Sequence, residues 1–141
     1  MLRWIVILLA GGRVCFTGWL ILVSLAARAG LDSGLGFDAD TMQQMADIPA
    51  LPFLASILYT LGYLATALLV VLRRKLALYT AILAAALDIG FWAINAANPV
   101  IAQLSADLDW GAIGVRDMVL NIAAILMVAG VLRLSHRGQL H

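Results

Sequence analysis

Two opposite charges set inside apolar runs are the residues of this chain with the clearest chemical potential. Arg13 lies in MLRWIVILLAGGRVCFTGWLILVSLAARAG, and Asp88 lies in LALYTAILAAALDIGFWAINAANP. A guanidinium keeps its proton, so Asp88 would be the titrating member of such a pair. The pair could relay a proton, bind a cation, or simply neutralise itself as internal glue. Asn121 could orient a ligand or satisfy a spare hydrogen bond, and Thr17, Tyr59, Thr60 and Tyr63 offer hydroxyls nearby. Together these seven residues make one candidate polar core. A second group, Arg28, Arg116 and Asp117, fits local salt bridges or a small polar entrance.

Other chemistry is excluded by what the chain lacks. All eight acidic residues are Asp, and the two histidines, His136 and His141, lie in the tail SHRGQLH. No buried imidazole pair is available for haem, and no serine has an intramembrane histidine base. The single cysteine, Cys15, allows no intramolecular disulfide, no CxxC pair and no thiolate metal cluster, and reads as a small apolar filler. No catalytic residue, metal or cofactor is therefore expected, and a net charge of +1 gives no reason to expect nucleic acid as a partner.

The elements that position these groups are set by hydropathy. Of 141 residues, 64% are hydrophobic and 12% charged, with mean hydropathy +1.00. Four runs reach the roughly 20 apolar residues that a membrane-spanning helix needs: 2–29, 51–72, 76–98 and 110–134. They are apolar on almost every side, which excludes barrel strands. The expected fold is all-α, a single integral-membrane four-helix transmembrane bundle. A secretory signal is a poor reading of the first run, because the apolar stretch continues past any plausible cleavage point.

Charge orients the bundle. Arg3, Arg73, Arg74, Lys75, Arg133 and Arg137, six of the nine basic residues, fall on one side. By the positive-inside rule that side is cytoplasmic, giving an N-in/C-in topology in a bacterial inner (plasma) membrane. Trp4 and Trp110 suit interfacial anchors on opposite faces. The opposite side carries Asp32, Asp38, Asp40, Asp47, Asp107 and Asp109. Their spacing lacks the regular ligand pattern of a calcium loop. Asp40 followed by Gln43 resembles a capping box, predicting a short interfacial helix over 41–46 in a largely solvated linker. Asp47 is the expected cap of the second long helix and Asp109 that of the fourth, while Pro99 helps to end the third.

Counting residues places the polar groups at one depth. Arg13 lies about 15 Å along the helix from Arg3, half of a hydrocarbon layer about 30 Å thick. Asp88 lies about 20 Å beyond Lys75, and Asn121 about 18 Å from both Asp109 and Arg133. Helical spacing gives each run an inward stripe: Arg13, Thr17, Ser24 and Arg28; Ser56, Thr60, Tyr63 and Thr66; Ala81, Ala84, Asp88 and Asn95; Gly114, Asp117, Asn121 and Ala124. Gly11, Gly12, Gly62, Ala85 and Gly90 are expected to let helices approach closely.

Three functions remain open at this stage. The first is a non-catalytic accessory, assembly or scaffolding subunit of a larger inner-membrane complex, whose partners are membrane lipids and other membrane subunits. The second is a small, self-associating transporter or channel for a proton or small ion. The third, weaker, is a quinone-, lipid- or pigment-binding module using Tyr59, Tyr63, Phe91 and Trp92.

Overall fold

The computed structural model describes residues 1–31, 37–95 and 113–141, with side chains at all of these except 95 and 113–117. Among the described residues the chain is all-helical: α1 (Leu2–Arg28), α2 (Ala39–Ala46), α3 (Ala50–Val71), α4 (Leu76–Asn95) and α5 (Ile113–His136). Four of these are long and apolar enough to cross a membrane. At 1.5 Å per residue, the 27 residues of α1 reach about 40 Å and the 22 of α3 about 33 Å. The helix α1 runs unbroken through Gly11 and Gly12.

Element boundaries follow from local chemistry. The α5 helix continues two residues past the last apolar position, Leu134, until Gly138 adopts φ +65° and turns the chain. The amides of Gly138 and Gln139 then donate to the carbonyls of Ser135 and Leu134, closing the helix end. Two expected caps differ from the structure. The α2 helix is capped by Asp38, whose extended backbone lets its carboxylate accept from the Thr41 amide at 2.7 Å; Asp40 lies inside the first turn. Gln43 reaches forward to Asp47 at 3.1–3.2 Å instead of back toward a cap. Asp47 therefore ends α2, and Pro49 is the N-cap residue of α3. The other expected cap, Asp109, lies outside the described residues, as do Pro99 and Trp110.

The long helices form a closed ring. The α3 helix packs on α1 and α4, and α5 packs on the same two, so α1 and α4 face each other across a diagonal. Neighbours run antiparallel. Arg3, at the start of α1, donates to the Val71 carbonyl at the end of α3 at 2.7 Å, while Arg28, at the end of α1, donates to the Ile48 carbonyl before α3 begins. His141 exchanges backbone hydrogen bonds with Arg73 and Lys75 in the α3–α4 turn, which brings the C-terminal tail to the same end as Met1. Arg3, Arg73, Arg74, Lys75, Arg133 and Arg137 thus share one end of the bundle, and α2 lies at the other.

Small residues set the helix spacing. Ala77, Ala81, Ala84 and Ala85 of α4 are buried with Val6, Ala10, Tyr63, Ala124, Met127 and Val131. A Cβ on Gly62 would lie 2.8 Å from the Ala84 side chain, and one on Gly130 would lie 2.6 Å from Val6. At Gly62 the backbones come close, with the Ala84 Cα only 3.4 Å from such a Cβ, whereas Gly130 makes room for the Val6 side chain. Gly11, Gly12 and Gly90 do not serve this purpose, because a Cβ there meets nothing within 4 Å. The expectation of a largely solvated linker also fails at α2. Met42 and Met45 bury against Val23, with Leu20, Ala27, Phe37 and Ile48 around them, so α2 is docked on the far half of α1.

Candidate functional site

The structure brings Arg13 of α1 and Asp88 of α4 into contact across the ring. Arg13 Nε donates to Asp88 Oδ2 at 3.0 Å and Arg13 Nη2 donates to Oδ1 at 2.5 Å, a two-pronged pair that matches guanidinium to carboxylate. The Tyr63 hydroxyl of α3 adds a third donor to Oδ2 at 2.8 Å. Asp88 is 3% exposed and the Arg13 side chain 13%, so both charges are withdrawn from the surface and neutralised by each other. The guanidinium also lies 5.7 Å from the centre of the Tyr59 ring, which in turn meets Tyr63 edge-on at 6.3 Å. Two tyrosines one helical turn apart therefore hold the pair from the α3 side.

Thr17 and Thr60 form a separate contact one turn away. Their hydroxyls meet at 2.7 Å between α1 and α3, with the Arg13 carbonyl 2.8 Å from the Thr17 hydroxyl and the Ser56 carbonyl 2.6 Å from that of Thr60, so that one hydroxyl donates across to the other and the second donates within its own helix. Of the three hydroxyls that the sequence offers to the charged pair, Tyr59, Thr60 or Tyr63, that of Tyr63 reaches Asp88, while the Thr60 hydroxyl meets Thr17. Thr80 is a polar contact outside the set expected from the sequence. Its hydroxyl receives that of Thr66 at 3.0 Å, a polar tie between α3 and α4 nearer the basic end. The signal was present, since Thr80, Ala84 and Asp88 follow each other at four-residue spacing on one face.

On the α5 side the expected polar partner is missing. Asn121 is half-buried, and among the described residues no hydrogen bond joins it to Arg13, Asp88 or Tyr63. The α5 helix instead presents Leu120, Ala123, Ala124 and Met127 to a narrow cleft shared with Leu9, Arg13 and Tyr63, with room for about one water molecule. The rotation of α5 explains this: its buried line is Ala124, Met127, Val131 and Leu134, which turns Asn121 aside.

The second predicted group comes together only in part. Arg28 bonds the Ile48 carbonyl and lies 4.5 Å from the Phe53 ring centre, clamping the end of α1 to the start of α3. The side chains of Arg116 and Asp117 lie outside the described residues. Cys15 is exposed on the outer face of α1, away from Arg13's partners, which corrects its reading as a buried filler. Among the described residues no group of three His, Cys, Asp or Glu side chains could hold a metal ion.

Chemically, the core is a neutral assembly with its strongest donors and acceptor already matched. Three hydrogen bonds fill most of the lone-pair sites on Asp88, and each threonine hydroxyl has an acceptor within its own helix or across it. Compared with known proteins, the chain matches no family model, no curated protein and no solved structure.

Proposed function

We propose that this chain is an integral membrane protein with both termini on the cytoplasmic side of a bacterial inner membrane, acting as a non-catalytic accessory, assembly or scaffolding subunit of a larger complex. The observation that carries this reading is the closure of the polar core on itself. Arg13, Asp88 and Tyr63 satisfy one another across three helices, while the outward faces carry exposed Leu, Ile and Trp such as Leu8, Trp19, Leu58 and Leu83. Such a core locks a helix arrangement, and the outer faces suit lipid or other membrane helices. Purification in a mild detergent tests it. Companion membrane proteins at fixed stoichiometry are expected, and a pure homo-oligomer would count against the accessory role.

A second reading is a small proton or ion transporter, favoured by the cleft that leaves one edge of the Arg13 and Tyr63 pair beside α5. In that role Asp88 carries the proton and Arg13 supplies the counter-charge. Reconstituted liposomes decide between the two. Proton flux in the wild type that disappears in Asp88→Asn supports transport, and the absence of flux in the wild type supports the scaffold.

A further inference from the structure

The basic end of the bundle is the largest charged feature that the polar core leaves unexplained. Arg73, Arg74 and Lys75 are exposed on the α3–α4 turn, and Arg133 and Arg137 are exposed on the last turn of α5 and just beyond it. The tail folds these two groups onto one end, since the Lys75 amide donates to the His141 carbonyl at 3.0 Å and the His141 amide to the Arg73 carbonyl at 2.5 Å. No described aspartate lies at this end, the chain has no glutamate, and the salt bridge among the described residues is the distant Arg13–Asp88 pair. Half-buried Arg3 adds its charge at the same end, where its Nη2 donates to the Val71 carbonyl.

We infer that this end binds the phosphate headgroups of anionic phospholipids, an inference that rests on the membrane reading above. Charge complementarity calls for an anion, and the neighbouring surface says which kind. The cations border exposed Leu72, Leu76, Tyr79 and Leu132, so a ligand that answers both halves of the surface has an anionic head and apolar chains. A free phosphate would meet the cations alone.

The test uses the purified full chain in a neutral detergent, titrated with phosphatidylglycerol or phosphatidylcholine, with retained lipid read by native mass spectrometry. Phosphatidylglycerol should be retained at least about tenfold better, and each neutralised cation should cost roughly fivefold of that preference. Arg133→Gln with Arg137→Gln should remove most of it, and Arg73→Gln with Lys75→Gln should do the same from the other element. If one double variant loses helicity, the other decides. Asp40→Asn, at the opposite end, should leave the preference unchanged. Equal retention of the two lipids, a preference that survives in the folded variants, or displacement of the lipid by inorganic phosphate at matched concentration overturns the proposal. Alkaline extraction of cell membranes separates the two readings: release of the protein defeats membrane integration itself, whereas an integral protein with no lipid preference defeats only this inference.

Discussion

Arg13 and Asp88 matter to each other more than either matters alone. A buried ion pair is often no better for stability than apolar residues of similar size, but removing one partner strands the other without compensation and costs about 3–5 kcal/mol. Asp88→Asn and Arg13→Leu should each lower resistance to unfolding in mixed detergent by roughly that amount. The double variant Arg13→Leu with Asp88→Leu should lose clearly less than the sum of the two single Leu variants. Additivity within about 0.5 kcal/mol would show that the charges are energetically independent. Tyr63→Phe keeps the ring against Tyr59 and deletes only the hydroxyl that donates to Asp88 at 2.8 Å. It should cost about 1.5–3 kcal/mol, the range for a hydrogen bond to a charged group, and a neutral outcome would show that water replaces the hydroxyl.

Two elements carry predictions of their own. The spacing of α3 and α4 depends on Gly62, where a methyl group would press into Ala84 at 2.8 Å. Gly62→Ala should destabilise by about 1–3 kcal/mol, whereas Gly12→Ala, which meets nothing within 4 Å, should be neutral or slightly stabilising through helix propensity. Equal responses at the two sites would refute the assigned packing. At α2, the hydrogen bonds from Thr41 hold the Asp38 carboxyl below its ordinary value of 3.8. A carboxyl lowered in the folded state stabilises α2 fully above that ordinary value and loses the contribution as pH falls through the lower folded value. Hydrogen exchange at the Thr41 amide should therefore show α2 fraying under acid conditions but not at neutral pH. Asp38→Ala should fray at both, and protection unchanged by that substitution would remove the cap.

At the scale of the whole molecule, the bundle separates charge along its axis. Six of the nine basic residues and both ends of the chain gather at one pole, while Asp38, Asp40 and Asp47 lie with α2 and Arg28 at the other. Under the proposed topology, reporters fused at Met1 and at His141 should both register the cytoplasm, and a label at Asp40 of α2 should be accessible only from outside. Exchanging Arg73, Arg74 and Lys75 for neutral residues should weaken that orientation bias, because nearby Lys and Arg counts set it. A uniform orientation that survives the exchange would mean that another feature of the chain directs insertion.

Four long apolar helices, and the common axial level of Arg13, Tyr63 and Asp88, are legible in the chain alone. Rise per residue is nearly constant in a helix, so counting along the chain gives depth without knowledge of neighbours. Which helices face each other, and how each is rotated, emerges only when they pack. The α5 helix is apolar almost all round, so its pattern specifies no inward face, and Asn121 could not be aimed from composition alone. The face of Thr80 was legible from its four-residue spacing with Ala84 and Asp88, but its partner was not, because Thr66 stands opposite it only once α3 and α4 pack. The choice of Asp38 over Asp40 as cap depended on one extended residue, and the burial of Met42 and Met45 depended on where α1 lay. Depth is a local property of the chain; rotation and neighbourhood arise when several helices pack at once, each restricting the others.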